Sequence, residues 1–207
     1  MKIFDRGYTI QDDFLDTSTF DAIRRVLVLG GAWTQQSSGQ GPVGVKDAQM
    51  HDSVLYNFPG WSWGPTDYST STHQLSHWFY VMDKMGVGQI TSPYFDMMRP
   101  LILALKLKVL FRLKANANPP TANIQEYGYH TDINYIKDDN TIESLEGTTS
   151  IFYLNTNNGY TTLKIKDTPK IESVANRLLS FPSVTEHKGS SCTDKQQRVV
   201  LNINYIE

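Results

Sequence analysis

Residues 105–116 read Leu105-Lys106-Leu107-Lys108-Val109-Leu110-Phe111-Arg112-Leu113-Lys114-Ala115-Asn116. Leu105, Leu107, Val109, Phe111, Leu113 and Ala115 alternate with Lys106, Lys108, Leu110, Arg112, Lys114 and Asn116. A period of two is the pattern of a strand with one buried face. Further strand candidates follow at 148–154, 161–166, 176–181 and 198–205, separated by Asn/Gly, Pro and Ser clusters. Many short strands joined by turn chemistry predict an antiparallel sandwich or jelly roll. The basic face of the 105–116 strand reads as solvated rather than as a nucleic-acid surface.

Upstream of this stretch the pattern is helical. Thr17 or Ser18 can cap a helix whose apolar face is Phe20, Ile23 and Leu27, with Gly30-Gly31 as its stop. A second helix is predicted over 72–85, with Leu75, Trp78, Phe79 and Met82 as its stripe and Gly86 at its end. A third starts at Ser92-Pro93, followed by Tyr94, Met98 and Leu101, with Pro100 leaving its extent open. Residues 34–71 are rich in Gly, Ser, Thr and Pro and carry Trp61 and Trp63. They read as a long loop, with a functional or binding lid and a merely disordered segment standing equal. The expectation is one domain over 1–207, mainly β with supporting α-helices: 1–104 as helical, loop-rich support and 105–207 as the β core.

The 207 residues are 40% hydrophobic and 12% aromatic, enough for one substantial core. Nineteen basic and 21 acidic residues leave a charge of -2, so no global basic field argues for nucleic acid or anionic membrane. Cys192 is the single cysteine, which excludes an intramolecular disulfide and thiolate-rich metal sites. The start, Met-Lys-Ile-Phe-Asp-Arg, has no apolar signal core, and no window reaches the roughly 18 apolar residues of a membrane span. A soluble, cytoplasmic protein without a membrane partner is expected.

Within Tyr129-His130-Thr131-Asp132, side chains two apart on a strand project to one face, so an imidazole and a carboxylate can converge on one ion. Two His and one carboxylate leave open positions on the metal, the set used by non-haem Fe(II) oxygenases. His187, beside a strand, is the natural third ligand. His51, His73 and His77 lie in the helical or loop-rich half. An isolated His-x-Asp also reads as a surface strand-end pair. In 198–205, Val199, Leu201, Ile203 and Tyr205 form an apolar face and Arg198, Asn202 and Asn204 share the other. By spacing alone that polar face is a solvated edge or a ligand site; a guanidinium there suits bidentate capture of a carboxylate. His73 and His77, four apart on the predicted helix, read as structural. Gly39-Gln40-Gly41-Pro42-Val43-Gly44 formally matches a dinucleotide fingerprint but lacks its strand and helix, and reads as a loop.

The order His130-x-Asp132, Ser150-Ile151-Phe152-Tyr153-Leu154-Asn155, Asn176-Arg177-Leu178-Leu179-Ser180-Phe181-Pro182, His187 and Arg198 resembles the prolyl-4-hydroxylase-like branch of the 2-oxoglutarate/Fe(II)-dependent dioxygenases. The likeness covers roughly 105–205, and small bacteriophage-type members look most similar. It implies a double-stranded β-helix, a jelly-roll, cupin-like core. It also implies a hydroxylase that converts 2-oxoglutarate and O2 to succinate and CO2 while hydroxylating an unidentified substrate, a prolyl or other peptide residue or a small molecule. The implied cofactors are Fe(II), 2-oxoglutarate and O2, with ascorbate optional, and a phage origin would place the enzyme in the host cytoplasm. By the resemblance His130, Asp132 and His187 hold iron, Arg198 and Tyr153 hold the distal carboxylate, Asn202 and Asn204 face the co-substrate, and Asn116 is a further contact. Asn157-Asn158-Gly159 stands where the family often has Gly-Gly, and the 187–198 gap is slightly long. Tyr127, Tyr129 and Tyr135 flank the motif as an aromatic rim or as ordinary packing. The alternatives are a zinc-dependent hydrolase, with Glu186 poorly placed as a base, and a non-catalytic jelly-roll binding module that uses 34–71.

Overall fold

The computed structural model describes residues 4–28, 61–65, 73–83, 85–136, 142–144 and 146–207. Of the predicted loop over 34–71, residues 61–65 form a strand instead, because they pair with 73–77, and the rest of it, with the glycine run at 39–44 and His51, lies outside the described residues. The elements in chain order are β1 (Thr9–Gln11), α1 (Thr17–Leu27), β2 (Trp61–Pro65), β3 (His73–Met82) and β4 (Gly88–Ile90). A 3-10 turn (Phe95–Met98) leads into α2 (Arg99–Ala104), followed by β5 (Val109–Asn118), β6 (Asn134–Ile136) and β7 (Ile142–Ser144). The rest are β8 (Thr148–Tyr153), β9 (Asn157–Leu163), β10 (Lys170–Ser173), β11 (Leu178–Pro182), β12 (His187–Gly189) and β13 (Arg198–Ile206).

Two antiparallel sheets carry the architecture. The larger runs β1-β11-β8-β13-β5-β3-β2, with β4 beside β3, and the smaller runs β10-β9-β12. The chain crosses between them, β8 to β9 and β12 to β13, as a jelly roll requires. Among the described residues no helix is long and apolar enough to cross a membrane.

Strand β13 is the axis of the large sheet and sorts its two faces. Val199, Leu201, Ile203 and Tyr205 join Phe20, Ile23 and Leu27 of α1 and Leu101 of α2 in one buried cluster, so the helices cover the outer face. Ile151, Tyr153, Leu163, Leu179, Phe181 and Val200 pack in a second cluster between the sheets. Helix α1 forms as its spacing predicts. Its cap, however, is Asp16, whose Oδ1 accepts from the Thr19 N–H at 3.0 Å, rather than Thr17 or Ser18.

Residues 73–82 form a central strand, not a helix. The aromatic and β-branched character of His-Trp-Phe-Tyr-Val suits a pleated surface, and Phe79 sits on the outer-face core while Gln74 looks into the cavity between the sheets. The third helix starts as a 3-10 turn at Phe95, with Pro100 in the first turn of α2, where a missing N–H costs nothing.

The 105–116 alternation also changes phase. A β-bulge at Phe111 pairs Arg112 with Asn204 but Leu110 with Tyr205, so Leu110, not Phe111, shares the core face with Leu113 and Ala115. Leu105 ends α2, and Lys106 has a φ of 53°, so the strand begins only at Val109. Beyond the bulge, Arg112, Lys114 and Asn116 line the cavity; the basic face is not a solvated one. The remaining strand predictions stand with shifted ends. The largest shift is in the 161–166 strand, which is β9 at Asn157–Leu163. Asn176, with a φ of 63° and side-chain bonds to the Leu15 backbone, is a loop clamp before β11.

Candidate metal centre

Two backbone bonds create the site. His130 N–H donates to the His187 carbonyl at 3.0 Å and His187 N–H to the His130 carbonyl at 2.9 Å, an isolated antiparallel bridge that sets the two imidazoles side by side. The ring centroids are 4.6 Å apart. His130 and Asp132 are not on a regular strand as the spacing predicts, yet they still converge. Nε2 of His130 and of His187 lie 3.9 and 3.8 Å from the two Asp132 oxygens, and one ligand atom from each residue falls within 4.8 Å of the others. His73 and His77 are elsewhere. His77 Nε2 bonds Ser92 Oγ at 2.8 Å on the helix side, in keeping with a structural role.

The tautomers follow from the second nitrogen. His130 Nδ1 is 3.1 Å from the Gly128 carbonyl and His187 Nδ1 is 3.2 Å from the Thr185 carbonyl. A carbonyl only accepts, so in the neutral rings Nδ1 carries the hydrogen and each Nε2 turns a lone pair toward Asp132. Burial, with the His130 ring adding to it and Asp132 opposing, pushes the His187 imidazolium pKa below its ordinary value. His187 is thereby kept neutral, the form that binds metal.

That shift sets a pH dependence. The folded-state pKa of His187 lies below the unfolded value of about 6.5, so below that pH the unfolded chain takes up a proton that the folded one refuses. The stability of the metal-free protein is expected to fall as pH drops from about 6.5. Urea titrations across that window check this, and His187→Gln should flatten the slope.

Asp132 is buried and fully engaged. Burial alone pushes its carboxyl pKa up, but the Arg112 guanidinium first, and then the Asn204 amide, outweigh that and hold it well below the usual carboxylate range. Arg112 places Nη2 2.7 Å from Asp132 Oδ1 and donates from Nη1 to the Asp132 carbonyl at 2.9 Å and from Nε to Asn204 Oδ1 at 2.9 Å. Asn204 Nδ2 then donates to Asp132 Oδ2 at 3.1 Å and to Thr149 Oγ1 at 2.8 Å. Asn204 is thus a holder of Asp132 rather than a group facing a co-substrate. Arg112 is not among the candidates that motif and spacing single out, although its place on the polar face of β5, opposite Asn204, is the signal that marks it. Arg112→Ala is expected to weaken divalent-metal affinity about 10- to 100-fold without removing a ligand, as loss of an outer-shell partner does, and equilibrium metal titration measures it.

The triad opens onto a cavity of about 390 Å³ between the sheets, whose wall also includes Asn116, Tyr127, Ile151, Thr161, Arg198, Val200 and Asn202. Arg198 is 3% exposed. Its Nε donates to Ser173 Oγ at 2.8 Å and its Nη2 to Thr161 Oγ1 at 2.9 Å, and among the described residues it meets no carboxylate. Tyr153 stands behind it: the guanidinium carbon is 5.6 Å from the ring centroid, and the hydroxyl donates to the same Thr161 Oγ1 at 2.8 Å. Asn116 accepts from Ser76 Oγ at 3.2 Å through Oδ1.

The two departures from the family pattern meet at Arg198. A Cβ on Gly159 would stand 2.6 Å from the Ser191 carbonyl oxygen and 2.8 Å from Arg198 Cδ, so only glycine lets the guanidinium stem pass. The long 187–198 connection folds Ser190, Ser191 and Cys192 into the interior, tied to the chain at 121–127 through Thr121 N–H to the Cys192 carbonyl and Ser191 N–H to the Gln125 carbonyl. Gly159→Ala is expected to lower affinity for a dicarboxylate by about tenfold or more while metal affinity is kept, since the clashes fall on the Ser191 carbonyl and the Arg198 stem and not on the triad. Calorimetric titration with 2-oxoglutarate is the measurement. Of the predicted aromatic rim, Tyr127 lines the cavity, the Tyr129 ring meets the ammonium groups of Lys164 and Lys188 at 5.5 and 4.6 Å, and the Tyr135 side chain is outside the described set.

Solved structures share this fold. The chain superimposes on a prolyl-4-hydroxylase from Pseudomonas putida with a TM-score of 0.53 at 17% identity, over 98% of this chain and 94% of the other. It matches the viral collagen prolyl hydroxylase of Paramecium Bursaria Chlorella virus-1 in its 2-oxoglutarate complex with a TM-score of 0.53 at 14% identity, over 97% and 96%. An oxidoreductase of the 2OG-Fe(II) oxygenase family from Burkholderia pseudomallei gives 0.59 at 10% identity, over 98% and 85%. No family model matches the sequence, and no curated protein matches it either. At these identities the likeness establishes the double-stranded β-helix fold.

Proposed function

We propose that the protein is a 2-oxoglutarate- and O2-dependent hydroxylase with mononuclear Fe(II) held by His130, Asp132 and His187. The observation that carries this reading is Arg198, a buried guanidinium without a carboxylate partner among the described residues, in the wall of the same cavity as the triad. An unpaired buried charge is costly, and a dicarboxylate co-substrate supplies the missing partner. The donor set fits iron: two neutral imidazole nitrogens and one carboxylate, with positions left for other ligands. Iron and 2-oxoglutarate together supply oxygen activation, with succinate and CO2 as the co-products and one oxygen atom inserted into a substrate C–H bond.

The chain's own residues do the rest. The Gly128 and Thr185 carbonyls fix the imidazole tautomers, Arg112 and Asn204 orient the Asp132 carboxylate, and Ser173, Thr161 and Tyr153 hold the Arg198 guanidinium still. A prolyl or other peptide residue remains within this reading, since one solved neighbour is a prolyl hydroxylase in complex with a peptide fragment. Ascorbate, a cytoplasmic setting and a phage origin belong to the same reading. A hydrolytic zinc site would need a general base at the metal. Glu186 faces outward, paired with Lys164 at 2.6 Å, and Asp132 is the only carboxylate among the described cavity-lining residues.

The deciding test is anaerobic addition of Fe(II) and 2-oxoglutarate. A weak visible charge-transfer band is expected, together with conversion of 2-oxoglutarate to succinate once O2 is admitted. Purified protein that binds neither would end the oxygenase reading and leave the β-helix as a binding module.

A further inference from the structure

Opposite the Arg198 end, the cavity wall carries a second cation that the reading above does not use. Lys114 is paired in register with Asn202 across β5 and β13, so the two side chains stand next to each other on the cavity face. The Lys114 ammonium lies 5.0 Å from the centroid of the Trp78 ring and, among the described residues, forms no ion pair. Burial, with Arg112 adding to it and Asp132 opposing, pushes its pKa down to about 8. Asp132, the only described carboxylate acting on it, is already taken by Arg112. Asn202 is 7% exposed, and its Oδ1 is buried without a hydrogen-bond partner among the described residues.

Charge balance makes this informative. In the described wall, Arg112, Lys114 and Arg198 face the single carboxylate of Asp132. Loading the site with a divalent metal and a dianionic co-substrate adds equal and opposite charge, so the surplus positive charge persists when the site is full. Arg198 is then paired, and Lys114 is not. A neutral substrate would leave a half-buried ammonium facing it and an amide oxygen without a donor, both unfavourable.

From the Lys114–Asn202 pair we infer a substrate subsite for a free α-amino acid: Lys114 takes the carboxylate and Asn202 Oδ1 accepts from the amino group. The inference rests on the oxygenase reading and narrows its substrate. A cavity of about 390 Å³ is at the small end of the roughly 300–1,000 Å³ usual for small-molecule sites, which suits a ligand of this size beside a co-substrate.

The test is calorimetric and needs no turnover. Protein loaded with Mn(II) and 2-oxoglutarate under nitrogen is titrated with the L-amino acids and with their α-carboxamides, pairs that differ in the charge Lys114 would read. At least one acid is expected to bind at least about tenfold more tightly than its amide. In Lys114→Met, which keeps an apolar stem over Trp78, that preference should vanish while Mn(II) and 2-oxoglutarate affinities stay within about twofold. Lys114→Arg should restore it.

An amide that binds as well as its acid, an unchanged preference in Lys114→Met, or no acid binding at millimolar concentration would each overturn the subsite. A loss of 2-oxoglutarate affinity in Lys114→Met would assign Lys114 to the co-substrate and also overturn it, with the oxygenase reading intact. Wild-type protein that binds no 2-oxoglutarate would instead strike at the oxygenase reading itself.

Discussion

Asp132→Ala is expected to abolish iron binding at micromolar metal and to remove 2-oxoglutarate turnover, a loss well beyond the about 10- to 100-fold expected from an outer-shell change. The effect is large because the substitution acts twice. It deletes the anionic member of the ligand set, and it leaves the Arg112 guanidinium, 14% exposed and bonded to both the carboxylate and the carbonyl of residue 132, without its counter-charge. Stranding one partner of a buried pair costs about 3–5 kcal/mol, so the fold should be visibly less stable too. Asp132→Asn separates the two effects: it keeps the shape and an acceptor for Arg112 while weakening the metal site. Anaerobic iron titration and thermal melts, run on both variants, read the metal and stability terms independently. Asp132→Ala protein that still forms the visible band would refute the assignment.

Arg198→Ala is the second large effect, and it should split what Asp132→Ala removes together. Iron affinity is expected to survive, since Arg198 touches none of the three ligands, whereas 2-oxoglutarate affinity should fall by about 100-fold or more. The basis is that truncating one partner of a buried, hydrogen-bonded charge pair costs about 2–5 kcal/mol. Arg198→Lys should recover only part of the loss, because an ammonium cannot donate at once to Ser173, to Thr161 and to both oxygens of a carboxylate. Circular dichroism should show the β-fold retained in both variants. Unchanged 2-oxoglutarate affinity in Arg198→Ala would refute the anchor.

The sequence was most legible where one face of an element is buried and its period is unbroken. The apolar face of β13 and the Phe20-Ile23-Leu27 stripe of α1 are where periodicity places them, because burial on one side alone fixes which residues turn inward. The His73–Met82 segment misled because its apolar residues at 75, 78, 79 and 82 also satisfy helical spacing; only pairing with β5 on one side and β2 on the other makes it a strand. The bulge at Phe111 was equally invisible, since one extra residue inverts the alternation without any local signal in the side chains.

Of the site, the sequence by itself determined the chemistry: which imidazoles and carboxylate can ligate, and that a guanidinium stands at the head of the last strand. A His-x-Asp pair, a distant His and an Arg were readable through residue type, spacing and family order. The tertiary structure alone decided what those groups meet. It joined His130 to His187 by two backbone bonds, set Arg112 and Asn204 on Asp132, and placed Tyr153 behind Arg198. It also turned the lysine and arginine of β5 from an apparent solvated face into a cavity wall. The physical reason is that local pattern specifies which side of a strand is polar, whereas only the second sheet, packed across that side, determines whether the polar groups face water or one another.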